Sequence, residues 1–441
     1  MTVVTAERIT TADQAVRIAT ELAELFAAGA AERDLSRRLP HEELDQLSAS
    51  GLLAITVPAE FGGADLPPSV VAEVVRILAA ADPNIAQVPH SHFVYLNLLR
   101  LAGTRAQQRD YFGKVLAGAR IANAQSERSG ATVADISTVL RLDDETSAGD
   151  AESSQAVVTG GADAARIEAR RFVVEGTKYY CTGSLFADVL AVLTRLDDPQ
   201  GISGLEPGEY VAFVPALEPE VRIVDDWDAL GQRTTGSGTV EFAAVRVGHE
   251  QLVSRASAVN APTGYGAFAQ LLHAAIDAGI ARGALAAAAE FVRTRSRPWF
   301  EAEVAHAADD PLVVQRFGEL AVAVAAAEST LIVAGAAVDA AVRPRAVAEV
   351  ADAHPDASID GGAHASIAVA TAKILADRAA NEVSAAIFEV GGTRSAAAGH
   401  RLDHFWRNAR THTLHDPVRW KYQHIGRAVL HNRPPPLHGV I

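Results

Sequence analysis

Apolar positions repeat along this chain with two different periods, and the change of period divides it into three regions. From about residue 12 to 117 the spacing is helical. Ile18, Leu22, Leu25 and Phe26 fall on one face at i, i+4, i+7 and i+8, and Val70, Val74, Ile77 and Leu78 repeat the pattern. Between them Pro58-Ala59-Glu60-Phe61-Gly62-Gly63 reads as a turn-rich loop. From about 121 to 253 the texture changes to short β-rich runs, at Arg171 to Tyr180, Asp188 to Leu193, Tyr210 to Pro215 and Thr239 to Phe242. Such regular spacing predicts a small antiparallel barrel or sandwich. Residues 143–169 are acidic, small and polar, and predict a surface loop between strands. From about 263 to 427 the helical period returns in longer runs, over 271–294, 312–342 and 364–390. A break from Arg343-Pro344 to Gly361-Gly362 separates the last two. Long apolar-faced helices with short connections predict a bundle. The tail through Pro434-Pro435-Pro436 predicts an extended, polyproline-like end. The expected organisation is an α+β chain: a helical domain over 1–120, a β domain over 121–255, and a helical bundle with its tail over 256–441.

Composition narrows the function classes. The formal charge is −15, which repels phosphate backbones and anionic lipid, so neither nucleic acid nor a membrane surface is expected as a partner. The single cysteine, Cys181, excludes an internal disulfide and reads as a small buried hydrophobe. Met1 to Thr20 lacks a basic segment followed by an apolar one, so no signal peptide is expected. No run of about 20 apolar residues free of charge stands out, and a cytoplasmic protein is the expectation. No dinucleotide-binding glycine fingerprint or P-loop is present.

Five motifs then carry a resemblance. Val57-Pro58-Ala59-Glu60-Phe61-Gly62-Gly63, Gly231-Gln232-Arg233-Thr234-Thr235-Gly236-Ser237-Gly238, Ile280-Ala281-Arg282-Gly283-Ala284, Phe291-Val292-Arg293-Thr294-Arg295 and Val390-Gly391-Gly392-Thr393 occur in this order. Together they resemble the acyl-CoA dehydrogenase family, whose domains run helical, β, then four-helix bundle. The resemblance spans roughly Val57 to His415. One segment departs from the dehydrogenases: where they carry a glutamate-glycine pair, this chain has Asp416-Pro417. Phe405 to His415, Pro89 to Phe93, Asn123 to Glu127 and Arg295 to Trp299 are instead similar to a subgroup of flavin-dependent monooxygenases on this fold, which includes dibenzothiophene monooxygenases and sulfur-acquisition oxidoreductases.

The two branches need different chemistry. A dehydrogenase must remove an α-proton with a well-placed carboxylate. Asp416 is one methylene short, and Pro417 stiffens the backbone beside it. A monooxygenase must hold a flavin C4a-hydroperoxide in a dry site with hydrogen-bond donors. His412 and His415, spaced i and i+3, can share one helix face and aim two imidazoles at one pocket. The resemblance adds His92 as a third candidate, with His90 as the competing assignment. A His-x-x-His pair beside Asp416 also has metal-ligand chemistry, but no further ligand motif accompanies it, and no metal is expected.

The resemblance further implies cofactor contacts. Thr182 stands where the family has a hydroxyl near flavin N5, although a strand threonine is an equal reading of the residue itself. Trp227 is a wall for flavin or substrate, or a core aromatic. Asn123, Ser126 and Glu127 lie at a strand end near flavin and substrate, and Arg295, Arg297 and Arg394 are candidates for the flavin phosphate. Arg282 reads as a bundle contact. The implied enzyme uses reduced FMN supplied by a separate flavin reductase, with FAD as the alternative. It would take O2 and a small or aromatic substrate, oxygenate sulfur or alternatively an amine, and form a homotetramer. An FAD-dependent dehydrogenase using Asp416, and a catalytically silent member, are the rival readings.

Overall fold

A computed structural model describes residues 6–132, 134–143, 170–342 and 361–439. The expected surface loop after Asp143 and the expected break at 343–360 lie outside the described residues. The N-terminal region is helical: α1 (Ala12–Ala27), α2 (Ala30–Ser36), α3 (His41–Ala49), α4 (Pro68–Ala81), α5 (Pro83–Gln87), α6 (His90–Ala102) and α7 (Arg105–Leu116). Thr11 caps α1 by accepting from Gln14 N–H, and the helix buries Ala15, Ile18, Ala19, Ala23 and Phe26. Leu25, expected on that face, is exposed, because small alanines complete the buried stripe instead. On α4 the stripe is Val71, Val74, Val75 and Leu78, with Val70 and Ile77 packed at its edge.

The β domain is β1 (Ile121–Ala124), β2 (Val139–Leu142), β3 (Arg171–Lys178), β4 (Val189–Leu196), β5 (Glu209–Pro215), β6 (Val221–Val224), β7 (Thr239–Gly248) and β8 (Leu252–Ser254). They form one sheet in the order β6-β7-β3-β2-β4-β5-β8, with β1 also on β4. The sheet is mixed rather than antiparallel as expected. β1 pairs parallel with the start of β4, Ile121 opposite Val189, and β2 pairs parallel with its end, Leu140 opposite Leu196. Two short strands thus lie end to end along one edge of a longer one. Cys181 sits in the core of this sheet, and burial pushes its thiol up to about 12, so it behaves as the small hydrophobe expected.

A short helix α8 (Ala256–Val259) leads into the long bundle helices α9 (Tyr265–Thr294), α10 (Pro311–Val342) and α11 (Gly361–Gly391). Two smaller helices follow, α12 (Asp403–His412) and α13 (Val418–His431), both packed on α11. By length and composition α9 and α10 are apolar enough to cross a membrane, although charged residues such as Asp277 and Glu328 interrupt them, so neither is the charge-free run whose absence was expected. α9 is apolar because it is the core of the molecule: it packs against α11 on one side and α4 on the other. The α4 contact needs glycine, since a Cβ on Gly283 would stand 2.2 Å from the Ala80 carbonyl oxygen. Beside it Arg282 pairs with Glu328 of α10, as expected for a bundle contact. α10 is less than half buried and presents Leu312, Val322, Ile332 and Val333 outward.

Candidate active site

Four imidazoles gather where α6, α9 and α12 meet. His90, at the start of α6, bonds through Nε2 to the Ala269 carbonyl (2.9 Å) and stacks on His273 of α9 with ring centres 3.9 Å apart. His412, at the end of α12, places Nε2 3.2 Å from His273 Nδ1 and Nδ1 2.5 Å from Asp277. His415 follows α12 in a turn, and its ring stands 4.1 Å from His273. The helix ends at His412, because the chain turns ahead of Pro417, so the expected i, i+3 helical face does not form. The two histidines meet on His273 nevertheless. His412 is buried, while His415 is 47% exposed at the mouth of the cluster.

A buried ionic network lies under the rings. Lys373 of α11 contacts Asp277 at 2.8 Å and also Asp377 one turn along its own helix. Burial and the Asp277 charge push Asp377 up to about 8, so at neutral pH it keeps its proton and leaves Lys373 and Asp277 as one balanced pair. Burial holds His273 and His412 well below the ordinary imidazole range, and the neighbouring imidazoles and Lys373 add to this. Burial lowers His90 to about 3. These rings are neutral at physiological pH. Burial opposes ionisation of Asp416, yet His415 and the charges of Lys421 and Lys373 hold its carboxyl below the usual range.

His92 lies elsewhere. Its Nδ1 accepts from Ile121 N–H (3.1 Å) and its Nε2 donates to the Leu53 carbonyl (2.9 Å), so both nitrogens are committed to backbone. His90, the competing assignment, is the histidine of this helix that joins the cluster. Asp277, His273 and Lys373 were missed from sequence. A signal was present: His273 and Asp277, and Lys373 and Asp377, are polar pairs four apart inside otherwise apolar helix runs.

A second group forms on the β domain. Thr182 Oγ1, Ser237 Oγ and Thr235 Oγ1 make a chain of hydroxyls at 2.8 and 2.7 Å. Thr235 donates on to the Gln232 carbonyl, which also accepts from Trp227 Nε1 at 2.7 Å. Trp227 meets Tyr180 edge to face at 6.0 Å. Asn123 on β1 donates to the Tyr180 carbonyl (3.4 Å) and accepts from Tyr95 (3.3 Å), and the Ser126 carbonyl accepts from Tyr179 N–H. Asn123, Ser126, Thr182 and Trp227 are therefore neighbours. Glu127 is not part of this surface: it is buried against Lys178 at 2.7 Å and against Ser137 and Thr138.

α12 links the two groups. Asn408 accepts from Gln232 N–H at 2.6 Å, and His412, one turn on, holds α9. Gly231 allows this closeness, since a Cβ there would stand 2.0 Å from the Arg407 carbonyl oxygen. The arginines are far away. Arg394 donates to the Arg295 carbonyl, and Arg295 and Arg297 are exposed beyond the end of α9. Twenty-two residues of helical rise separate His273 from Arg295, about 33 Å. His273, His415 and Asp416 offer three ligand atoms lying within 4.8 Å of one another. That spread is wider than the ~3.4 Å edge of a tetrahedron with zinc-nitrogen bonds of ~2.1 Å.

Known proteins resemble this chain over nearly its whole length. Residues 7–119 match the acyl-CoA dehydrogenase N-terminal domain and residues 271–420 the acyl-CoA dehydrogenase C-terminal domain. The chain is 32% identical to dibenzothiophene monooxygenase of Rhodococcus qingshengii over 95% of this chain and 94% of that one. It is 31% identical to the probable FMNH2-dependent monooxygenase SfnC of Pseudomonas putida over 96% of each. The crystal structure of FMN-bound TdsC from Paenibacillus sp. A11-2 superposes with a TM-score of 0.84 at 29% identity, over 97% of this chain and 100% of that one. With the fold, the motif order and these relatives in agreement, the chain belongs to the acyl-CoA dehydrogenase family, in its branch of flavin-dependent monooxygenases.

Proposed function

We propose that this protein is a two-component monooxygenase that receives reduced FMN from a separate reductase and transfers one oxygen atom from O2 to the sulfur of a small or aromatic substrate. In overall balance, reduced FMN, O2 and the sulfide give oxidised FMN, water and the sulfoxide. One observation carries the reading: a cluster of neutral imidazoles, rather than a basic carboxylate, closes the site. Asp416, the candidate for a dehydrogenase base at this position, is held below the usual carboxyl range, which makes it a poor acceptor for an α-proton.

The β-domain surface fits a flavin. The N5 position changes from acceptor to donor on reduction, and a hydroxyl chain ending in Thr182 can serve either state. Gln232 Oε1 and Nε2, Thr234 Oγ1 and Asn408 Nδ2 beside this chain are buried and have no hydrogen-bond partner among the described residues. Thr182, Ser237 and Asn123 would hold the polar edge of the ring, with Trp227 against it. Bound there, reduced flavin would supply the two electrons that O2 requires. His412 and His90 line the dry side, and His415 at the mouth holds or moves a proton next to the substrate. Arg295, Arg297 and Arg394 are too distant to serve their own protomer's ring. A role on the flavin phosphate therefore places them in a second copy's site. The outward apolar residues of α10 support such an assembly, a homotetramer.

The test uses purified protein, reduced FMN and 18O2 with dibenzothiophene and dimethyl sulfide. One 18O atom in the sulfoxide supports the reading. Tightly bound yellow FAD that is bleached by an acyl-CoA overturns it in favour of a dehydrogenase.

A further inference from the structure

We infer that His273 is the internal proton acceptor of this site, and that Asp277 acts as a positioning residue that fixes the tautomer of His273 through His412. The inference rests on the monooxygenase reading and adds two residues to it. The argument starts at the buried end. Asp277, paired with Lys373, offers His412 a carboxylate oxygen, which only accepts. The 2.5 Å contact therefore puts the His412 proton on Nδ1. Because burial keeps His412 neutral, its Nε2 is left as an acceptor. The 3.2 Å contact then puts the His273 proton on Nδ1 as well. His273 is left with one lone pair, on Nε2, in a ring sandwiched between His90 (3.9 Å) and His415 (4.1 Å).

This order gives the exposed His415 an imidazole base behind it. The nitrogens of His415 and His273 lie within 4.8 Å, a gap that one water spans, and a proton taken up by His415 passes through it to His273 Nε2: each bond to hydrogen that forms is matched by one that breaks, no electrons change hands, and the proton later returns. The overall reaction balance is unchanged. The groups facing His273 are His90 from α6, His412 from α12, His415 and Asp416 from the turn, and Lys373 from α11, with Lys421 of α13 beside Asp416. Burial first, and then His90, His415, His412 and Lys373, keep His273 a reluctant holder of the proton, so it returns the proton readily.

The Asp277→Asn variant isolates the relay. Lys373 would select the amide oxygen, leaving the amide NH2 to face His412. That reverses the protons on both imidazoles while every hydrogen bond survives. The first readout needs no flavin: solid-state NMR of the full 15N-histidine-labelled chain. The expected result is Nδ1–H at His412 and His273 in the wild type and Nε2–H at both in Asp277→Asn. Nε2–H at His412 in the wild type, or no change in the variant, overturns the inference. The second readout is the oxygenation rate, expected to fall roughly 10²–10⁴-fold in Asp277→Asn, where Asp377 gives up its proton and takes over as the anion of Lys373. His273→Gln keeps a donor toward His412 but has no basic nitrogen, and should lose the same factor. His273→Ala should recover rate with added imidazoles in proportion to their basicity. Wild-type rates in Asp277→Asn or His273→Gln overturn the relay, and the NMR decides alone if a variant fails to fold. A wild-type protein that oxygenates nothing, yet shows the expected tautomers, would overturn the functional reading and leave the geometry standing.

Discussion

His90 and His92 stand two residues apart at the start of one helix and belong to different parts of the molecule. Successive residues turn by about 100°, so the two side chains leave α6 in nearly opposite directions. His92 enters the seam between the first helices and the sheet, where two backbone groups hold it. His90 enters the bundle, where it meets other imidazoles. The same residue type is held between two backbone groups in one region and joins an imidazole cluster in the other. The difference lies in how many ring nitrogens are held: His92 gives both to backbone groups, whereas His90 bonds through Nε2 to the Ala269 carbonyl and lays its face on His273.

The comparison breaks most sharply at the floor of the bundle cluster. Lys373→Met should leave Asp277 and Asp377 buried without their cation and cost about 3–5 kcal/mol, read from urea unfolding. His92→Ala should cost about 2–4 kcal/mol, since it removes a buried ring and strands Ile121 N–H and the Leu53 carbonyl. Thr182→Val keeps its shape and removes one hydroxyl; reduced FMN should bind about tenfold more weakly, about 1.4 kcal/mol by equilibrium titration. His415→Ala, at an exposed position, should change stability by less than about 0.5 kcal/mol while abolishing most oxygenation. A loss of stability at His415 as large as that at His92 would erase the distinction.

Acid sharpens the same contrast. Burial lowers His92 from 6.5 to about 4 and His90 to about 3, so below 6.5 the unfolded chain binds protons that the folded chain refuses. Their contribution to stability is complete above about pH 6.5 and falls as pH drops toward 4 and then 3. Asp377 opposes this trend: raised to about 8, it favours the folded state below its ordinary range and less so as pH rises through 8. His92→Gln should therefore flatten the acid limb of the urea midpoint.

The large divisions were legible in the sequence because they depend on period. Long amphipathic runs became α9, α10 and α11 within a few residues of the expected spans. Pairing in the sheet was not legible, because four-residue strands such as β1 and β2 carry no sign of direction, and their common partner β4 is far along the chain. In the candidate site, the segment from Arg407 to Asp416 was found by resemblance, but its partners were not. His273 and Asp277 are hidden in an apolar helix, and their role exists only because α12 packs across them. The choice between His90 and His92 needed the direction of α6 relative to both neighbours.

α12 carries a consequence for recombining this fold. Its ten residues hold the sheet loop with Asn408 and the bundle with His412. In a hybrid that takes its β domain from one relative and its bundle from another, the natural crossover before α9 would separate these two grips. The segment 403–416 should travel with the β domain's loop 231–238, as a keystone cut for one particular arch.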